Sequence, residues 1–221
     1  MKNNCVVIFD LDGTIWSHVP FETQSIYMAK YLNISFSEEF SKQIEEFWAG
    51  NFLKDVIITK DSVAKIIEKH IPYLAKYGVN GKDFLDSMMY TDETFLNNGA
   101  LKLLNYLKVN GYTIIAYTDW FKDYQYLLME KLGVKKYFEE VYAWDGTYEK
   151  PNETRIKDLT SKFSGKKFIY IGDSLYKDIQ SANYIDGCVA IWYNDIYEIN
   201  NLLIDYYTND LNSIIPFLEK M

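Results

Sequence analysis

Arginine is almost missing from this chain. Among 23 basic residues Arg155 is the sole arginine, and the others are lysine. Guanidinium forks are what grip clustered phosphates bidentately. With 31 acidic residues the formal charge is −8. Affinity for a phosphate backbone comes from clustered Lys and Arg, so the composition argues against a nucleic-acid partner. Histidine is scarce as well: only His18 and His70 occur, which excludes a His-rich metal site. Two cysteines, Cys5 and Cys188, are too few for a disulfide framework or a four-cysteine zinc site. Each lies in an apolar run and reads as an inert buried thiol. Four prolines leave no Pro-rich linker. No apolar run nears the roughly 18 residues of a membrane span, and the run after Asn4 is shorter than the about 7–15 residues of a signal-peptide core. A reduced, cytoplasmic protein with no membrane partner is expected. The P-loop, the Gly-x-Gly-x-x-Gly fingerprint and His-Glu-x-x-His are missing too.

What remains is an ordinary globular composition. Hydrophobic residues make up 48% and charged residues 24%, enough apolar surface for a packed core. At 221 residues the chain is one large domain or one domain carrying an insert. Five short apolar runs, at 5–9, 113–117, 140–144, 168–171 and 188–192, read as strands buried on both faces, as in parallel sheets. Helical spacing separates most of them. Leu103, Leu104 and Leu107 lead to Gly111; Leu127, Leu128 and Leu132 to Gly133; Ile156, Leu159 and Phe163 to Gly165; Ile179 and Ala182 to Gly187. Alternating strands and helices predict an α/β, doubly wound parallel sheet, with its chemistry at the carboxyl ends of the strands. The long stretch between the first two runs breaks this rhythm and reads as helix. Val63, Ile66, Ile67, Ile71 and Leu74 form an apolar stripe, Phe40, Ile44 and Phe47 a second, and Ile26, Met28 and Leu32 a weaker third. Residues 1–17 and 91–221 are expected to form the sheet domain, and 18–90 a helical insert.

The first run ends in Asp10-Leu11-Asp12-Gly13-Thr14. Carboxylates this close repel unless a cation offsets them or one keeps a proton. Gly13 lets the chain turn sharply and bring N–H groups toward an anion. An Asp-rich turn capping a helix is the plainer alternative. A calcium loop fails on spacing, because Thr14, Ile15 and Phe21 stand where Asp or Asn, Gly and Glu are needed. The second run ends in Thr118-Asp119, where a hydroxyl and a backbone N–H could donate to a phosphoryl oxygen; such a Thr also serves as a helix cap. Lys150-Pro151 precedes the helix after the third run, a place where a lone lysine is commonly a solvated charge. The fourth run ends in Gly172-Asp173-Ser174, with Asp178 a turn further on. Carboxylates there are ligands of the kind Mg²⁺ prefers, with an N-cap and a surface Asp as the alternative.

In this order, and each after an expected strand, the four segments resemble the haloacid dehalogenase superfamily over 6–194. The insert after the first segment is similar to the helical cap of the phosphoglycolate-phosphatase-like branch. The short interval between Thr118 and Lys150 leaves no room for the larger cap found later in other branches. The resemblance implies a Rossmann-like sheet of order 5-4-1-2-3 with a cap that contacts the leaving group. It implies that Asp10 is a nucleophile forming an aspartyl-phosphate and that Asp12 is a general acid/base. The dehalogenases lack a carboxylate at the second position, so Asp12 points to phosphoryl transfer. Thr118, the backbone N–H of Asp119, and Lys150 would bind the phosphoryl group, with Lys150 also catalytic in stabilising the crowded negative charge of nucleophile and phosphate. Asp10, the backbone carbonyl of Asp12, and Asp173 would hold Mg²⁺, with Asp178 supporting it through water or a hydrogen bond. The expected activity is a Mg²⁺-dependent phosphatase acting on a small phosphorylated metabolite. A sugar-phosphate phosphomutase and a nucleoside monophosphate 5′-nucleotidase stay open within the enzymes. A phosphate-accepting signalling switch is the reading from another class.

Two features depart from the family pattern. Asp119 stands where many relatives carry Asn, which could place an extra carboxylate near the phosphate. Trp16 and His18 follow the first segment and are substrate-contact candidates; a packed hinge aromatic and an exposed histidine are the alternative. His70 reads as structural or exposed. Trp192-Tyr193-Asn194 is similar to a Trp-x-Asn of nucleotidase-like members, and Tyr206 and Tyr207 read as packing for a C-terminal helix. The loop 50–60, with Lys54 and Lys60, is a candidate edge of the cap.

Overall fold

The structure is a computed structural model that describes residues 4–144, 146–195 and 203–221. Among the described residues the strands are β1 Cys5–Phe9, β2 Trp16–His18, β3 Thr94–Leu96, β4 Thr113–Phe121, β5 Glu140–Trp144, β6 Lys167–Gly172, β7 Val189–Tyr193 and β8 Tyr206–Thr208. Six of them make one sheet in the order β5-β4-β1-β6-β7-β8, and β2 pairs with β3. Without β8, the large sheet has the expected 5-4-1-2-3 order. β1 lies parallel to both β4 and β6, with Val7 opposite Ile114 on one side and Ile169 on the other. β6, β7 and β8 continue the sheet in parallel.

The apolar runs explain this placement. Val6, Val7, Ile8 and Phe9 have no exposed surface, so the central strand is covered on both faces. Val6 and Ile8 join Ile115, Tyr117, Ile156, Leu159, Tyr170 and Ile179 in one core cluster. Phe9 meets Phe138 edge to face at 6.3 Å.

β8 was not expected. Its three residues are too few for a period-two signal. Of the two tyrosines expected to pack a C-terminal helix, Tyr206 stacks on Phe217 of helix Ile214–Lys220 at 4.4 Å. Tyr207 packs on Trp192 at 5.4 Å. The two cysteines are free and half-buried rather than buried. Burial pushes the Cys188 thiol up to about 12, so it holds no thiolate at neutral pH.

The chain divides into two compact units. One is Met1–Ser17 with Phe95–Ala143 and Lys150–Met221; the other is His18–Thr94 with Trp144–Glu149. The second unit therefore includes a segment assigned from sequence to the sheet. Gly146 N–H donates to Ile58 O at 3.1 Å, and Ile58 N–H donates to Thr147 O at 3.0 Å, a distant pairing with no local signal.

The second unit is built on helices Phe21–Tyr31, Glu38–Ala49, Lys60–His70 and Gly81–Thr91. Two of the expected stripes are buried: Phe40, Ile44 and Phe47, and Val63, Ile67, Ile71 and Leu74, with Ile66 half-buried. The third differs. Its helix buries Gln24, Ser25, Met28 and Ala29 and leaves Ile26 exposed, so the inward face was offset from the apolar residues. Phe40 stacks on Tyr73 at 5.2 Å and meets Phe84 edge to face at 6.4 Å. His70 stacks on Phe52 at 3.9 Å. Thr59 and Ser62 form a reciprocal cap on their helix.

Gly81 opens its helix against the preceding one, and a Cβ there would lie 2.0 Å from the backbone oxygen of Ala64. Gly81→Ala is expected to cost about 1–3 kcal/mol, because backbone must move to admit one methyl. A lowered urea midpoint checks this; an unchanged midpoint would show that the two helices have slack.

Candidate active site

The sheet brings its functional side chains together at the carboxyl ends of β1, β4 and β6. Asp10 directly follows β1, and its N–H donates to Ile171 O at 2.9 Å, in register with β6. The chain then turns through Gly13, whose φ is +84°. A Cβ on Gly13 would lie 2.5 Å from Asp173 Oδ2, so only glycine lets this turn approach the second acidic segment. A π-helical turn, Leu175–Ile179, carries Asp178, and Ser174 N–H donates to Asp178 Oδ2 at 3.0 Å.

Asp10, Asp173 and Asp178 thereby place carboxylate oxygens within 4.8 Å of one another. Lys150 reaches into this group from beyond β5. Its Nζ donates to Asp10 Oδ1 at 2.5 Å, Asp178 Oδ1 at 2.7 Å and Tyr117 O at 3.1 Å. Tyr170 OH also donates to Asp178 Oδ1, at 3.2 Å. Asp10, Asp178 and Lys150 are all buried. Thr14 Oγ1 bridges Asp10 and Asp173 at 3.4 Å to each.

Burial disfavours every charge here, so the balance is decided by neighbours. Desolvation raises the Asp10 carboxyl well above the usual range. Lys150 opposes this, while Asp178, Asp173 and Asp12 add to it. Asp173 is pushed up to about 7, by burial first and by Asp178 next. For Lys150 burial favours the neutral amine, but Asp10 and Asp178 outweigh it and hold the ammonium well above its ordinary value. Burial and mutual repulsion push Asp10 and Asp173 toward their protonated forms, and beside a single ammonium a further cation is needed for all three carboxyls to carry charge. The donors are all hard oxygens. This set fits a small divalent cation in both charge and ligand type.

Asp12 points to different partners. Trp16 Nε1 donates to its Oδ1 at 2.9 Å, Gln125 Nε2 donates to its Oδ2 at 2.6 Å, and Thr118 Oγ1 lies 3.4 Å from Oδ2. Trp16 is fully buried, as in the packed-aromatic reading, and its ring N–H holds Asp12. His18 faces Asp92, with Nδ1 at 2.9 Å from Oδ2. The Asp119 carboxylate is held by the Lys150 backbone N–H at 2.9 and 3.0 Å, Arg155 Nη1 at 3.3 Å and Lys177 Nζ at 3.3 Å.

Arg155 and Gln125 were missed in the sequence. Arg155 donates to Thr118 O at 3.3 Å and Ala143 O at 3.0 Å, and lies 4.6 Å over the Tyr117 ring. Its rarity was the one signal available. Gln125 is a polar residue in mid-helix and carried no signal. Trp192 Nε1 and Asn194 Nδ2 donate to the backbone oxygen of Asp173 at 2.7 and 3.2 Å, which gives the Trp-x-Asn segment a role in fixing that loop.

A parallel α/β sheet with carboxylates and a buried lysine gathered at its carboxyl ends defines the class: doubly wound α/β proteins, which carry their chemistry at that edge. The comparisons name the family within that class. The family model of haloacid dehalogenase-like hydrolases matches residues 6–186, and the chain belongs to this family of hydrolases. A phosphoglycolate phosphatase from Nitrosococcus oceani is 27% identical over 232 residues, covering 100% of this chain and 99% of that protein. Among solved structures, YfnB from Bacillus subtilis, crystallised bound to magnesium, matches with a TM-score of 0.72 at 18% identity, covering 98% and 99% of the two chains. A phosphatase of the family from Thermococcus onnurineus matches with a TM-score of 0.67 at 21% identity, covering 96% and 97%. Among the described residues no helix is long and apolar enough to cross a membrane.

Arg155→Met leaves the buried Asp119 carboxylate with fewer cationic partners. The expected loss is about 3–5 kcal/mol in a urea titration, and Asp119→Asn in the same chain should recover part of it. Equal stability of Arg155→Met and the parent protein would show that the pair is unimportant to the fold.

Proposed function

We propose that the protein is a Mg²⁺-dependent phosphatase that hydrolyses a small phosphomonoester through an aspartyl-phosphate on Asp10. The observation that carries this reading is the buried Asp10 carboxylate, bonded to the Lys150 ammonium beside Asp173 and Asp178. Asp10 attacks phosphorus, and the bond from phosphorus to the leaving oxygen breaks. Asp12 supplies the proton that turns the leaving group into a neutral alcohol. Asp12 then takes a proton from the water that attacks the phosphoenzyme, and this frees Asp10 and inorganic phosphate. Lys150 orients Asp10 and offsets the charge that accumulates as carboxylate and phosphate approach. Thr118 Oγ1 and the backbone N–H of Asp119 bind phosphoryl oxygens. The Asp119 side chain is turned to Arg155 and Lys177, so its carboxylate does not crowd the phosphate.

Asp10, the backbone carbonyl of Asp12, and Asp173 would hold the metal, with Asp178 supporting it. Bound Mg²⁺ would neutralise charge so that an anionic nucleophile can meet an anionic substrate. The helical second unit is proposed as the family's cap and as the source of leaving-group selection. The name of the Nitrosococcus oceani relative makes phosphoglycolate the first substrate to test. The proposed setting is the cytoplasm.

Asp10→Asn is expected to lower turnover of p-nitrophenyl phosphate by more than about 1,000-fold while the thermal transition persists. Retained turnover would overturn the nucleophile assignment. Chelation with EDTA should abolish phosphate release and added Mg²⁺ should restore it; release that continues under chelation would remove the metal from the reading.

A further inference from the structure

We infer that Gln125 is a positioning residue for phosphoryl transfer: its side-chain amide sets the Asp12 carboxylate and the Thr118 hydroxyl. The inference rests on the phosphatase reading above, in which Asp12 is the acid/base and Thr118 holds the phosphoryl group.

Gln125 lies in the helix Lys122–Lys131 that follows β4, and it has no exposed surface. One atom, Nε2, donates to Asp12 Oδ2 at 2.6 Å and to Thr118 Oγ1 at 3.3 Å. Asp12 Oδ2 is an acceptor for Nε2, so the amide must turn its N–H side toward it; a flipped amide would set Oε1 against a carboxylate oxygen. That orientation strands the other end. Oε1 is buried and has no hydrogen-bond partner among the described residues. A buried acceptor left without a partner destabilises a fold. Packing alone would be better served by an apolar side chain of the same length. The amide is therefore explained by what it does to Asp12.

The other Asp12 oxygen is held by Trp16 Nε1 at 2.9 Å. With a donor on each oxygen, both side-chain torsions of Asp12 are fixed. Gln125 Nε2 also touches Thr118 Oγ1, so one amide links the proton carrier to the phosphoryl-binding hydroxyl. Gln125 acts through these two residues and meets no reacting atom itself.

A loosely held Asp12 matters most where the leaving group needs a proton. An alkyl alkoxide needs one, whereas p-nitrophenolate departs without it. Gln125→Met keeps the length and removes both the donor and the stranded carbonyl. In steady-state kinetics with Mg²⁺, kcat on glycerol phosphate or phosphoglycolate is expected to fall roughly 10- to 100-fold, with KM within about threefold. The fall on p-nitrophenyl phosphate should be smaller, and the melting temperature should stay equal or rise. In an Asp12→Asn background, Gln125→Met should change the residual kcat less than about twofold, because its effect passes through Asp12. Gln125→Leu gives the same comparison if the Met variant does not fold.

Unchanged kcat on the alkyl substrates, or a loss that is fully additive with Asp12→Asn, would overturn the inference. A lowered melting temperature with equal losses on all substrates would do the same, by making the amide structural. Wild-type protein that turns over no phosphomonoester removes the phosphatase reading and this inference with it. Wild-type turnover with an unaffected Gln125→Met removes this inference alone.

Discussion

The site depends on one buried ammonium. Lys150 sits between Asp10 and Asp178, and without it their carboxylates would face each other and Asp173 in a space that water barely reaches. Charges so placed cost far more than surface charges unless each is matched. Lys150 matches part of the negative charge and remains protonated because the carboxylates outweigh its own desolvation. The remaining negative charge is what a divalent cation would offset. Nucleophile orientation and metal affinity are thus set by the same ion pairs in the proposed mechanism.

The ammonium is itself held from behind. The Lys150 N–H is bound by the Asp119 carboxylate, and Arg155 joins that carboxylate to the backbone oxygens of Thr118 and Ala143. The ends of β4 and β5 and the Lys150 segment are therefore tied at one point. The only arginine in the chain is consumed by this tie. The parallel sheet supplies the rest. Its central strand is buried on both faces, so its carboxyl end is a rigid platform, and Gly13 lets the turn above it close on Asp173.

Much of the sheet was legible because burial on both faces writes a continuous apolar run. The runs at 5–9 and 140–144 coincide with β1 and β5 residue for residue. β4 extends past the expected 117 to Phe121 because Thr118 and Asp119 interrupt the apolar pattern without interrupting the strand. β8 and the helix Gly81–Thr91 were not separately legible; one is too short, and the other begins at a glycine kept for close packing. At the site, Asp10, Lys150, Asp173 and Asp178 were legible from their order after successive strands. Gln125 was not, since its partner Asp12 lies 113 positions away. The roles of Trp16 and Trp192 were also invisible, because an indole N–H that finds a carboxylate or a carbonyl leaves no mark on local spacing.

The sequence by itself determined the class of fold, the strand ends that carry acidic and basic residues, and the balance of charge that calls for a cation. Those follow from local rules: apolar runs make buried strands, and glycine marks turns. Only the tertiary structure decided which carboxylates share one lysine, that Asp12 is held by Trp16 and Gln125, and that Asp119 faces Arg155. It also placed Trp144–Glu149 with the helical unit. These are pairings across long stretches of chain. Their energies come from burial and hydrogen-bond geometry, which exist only once the sheet has assembled.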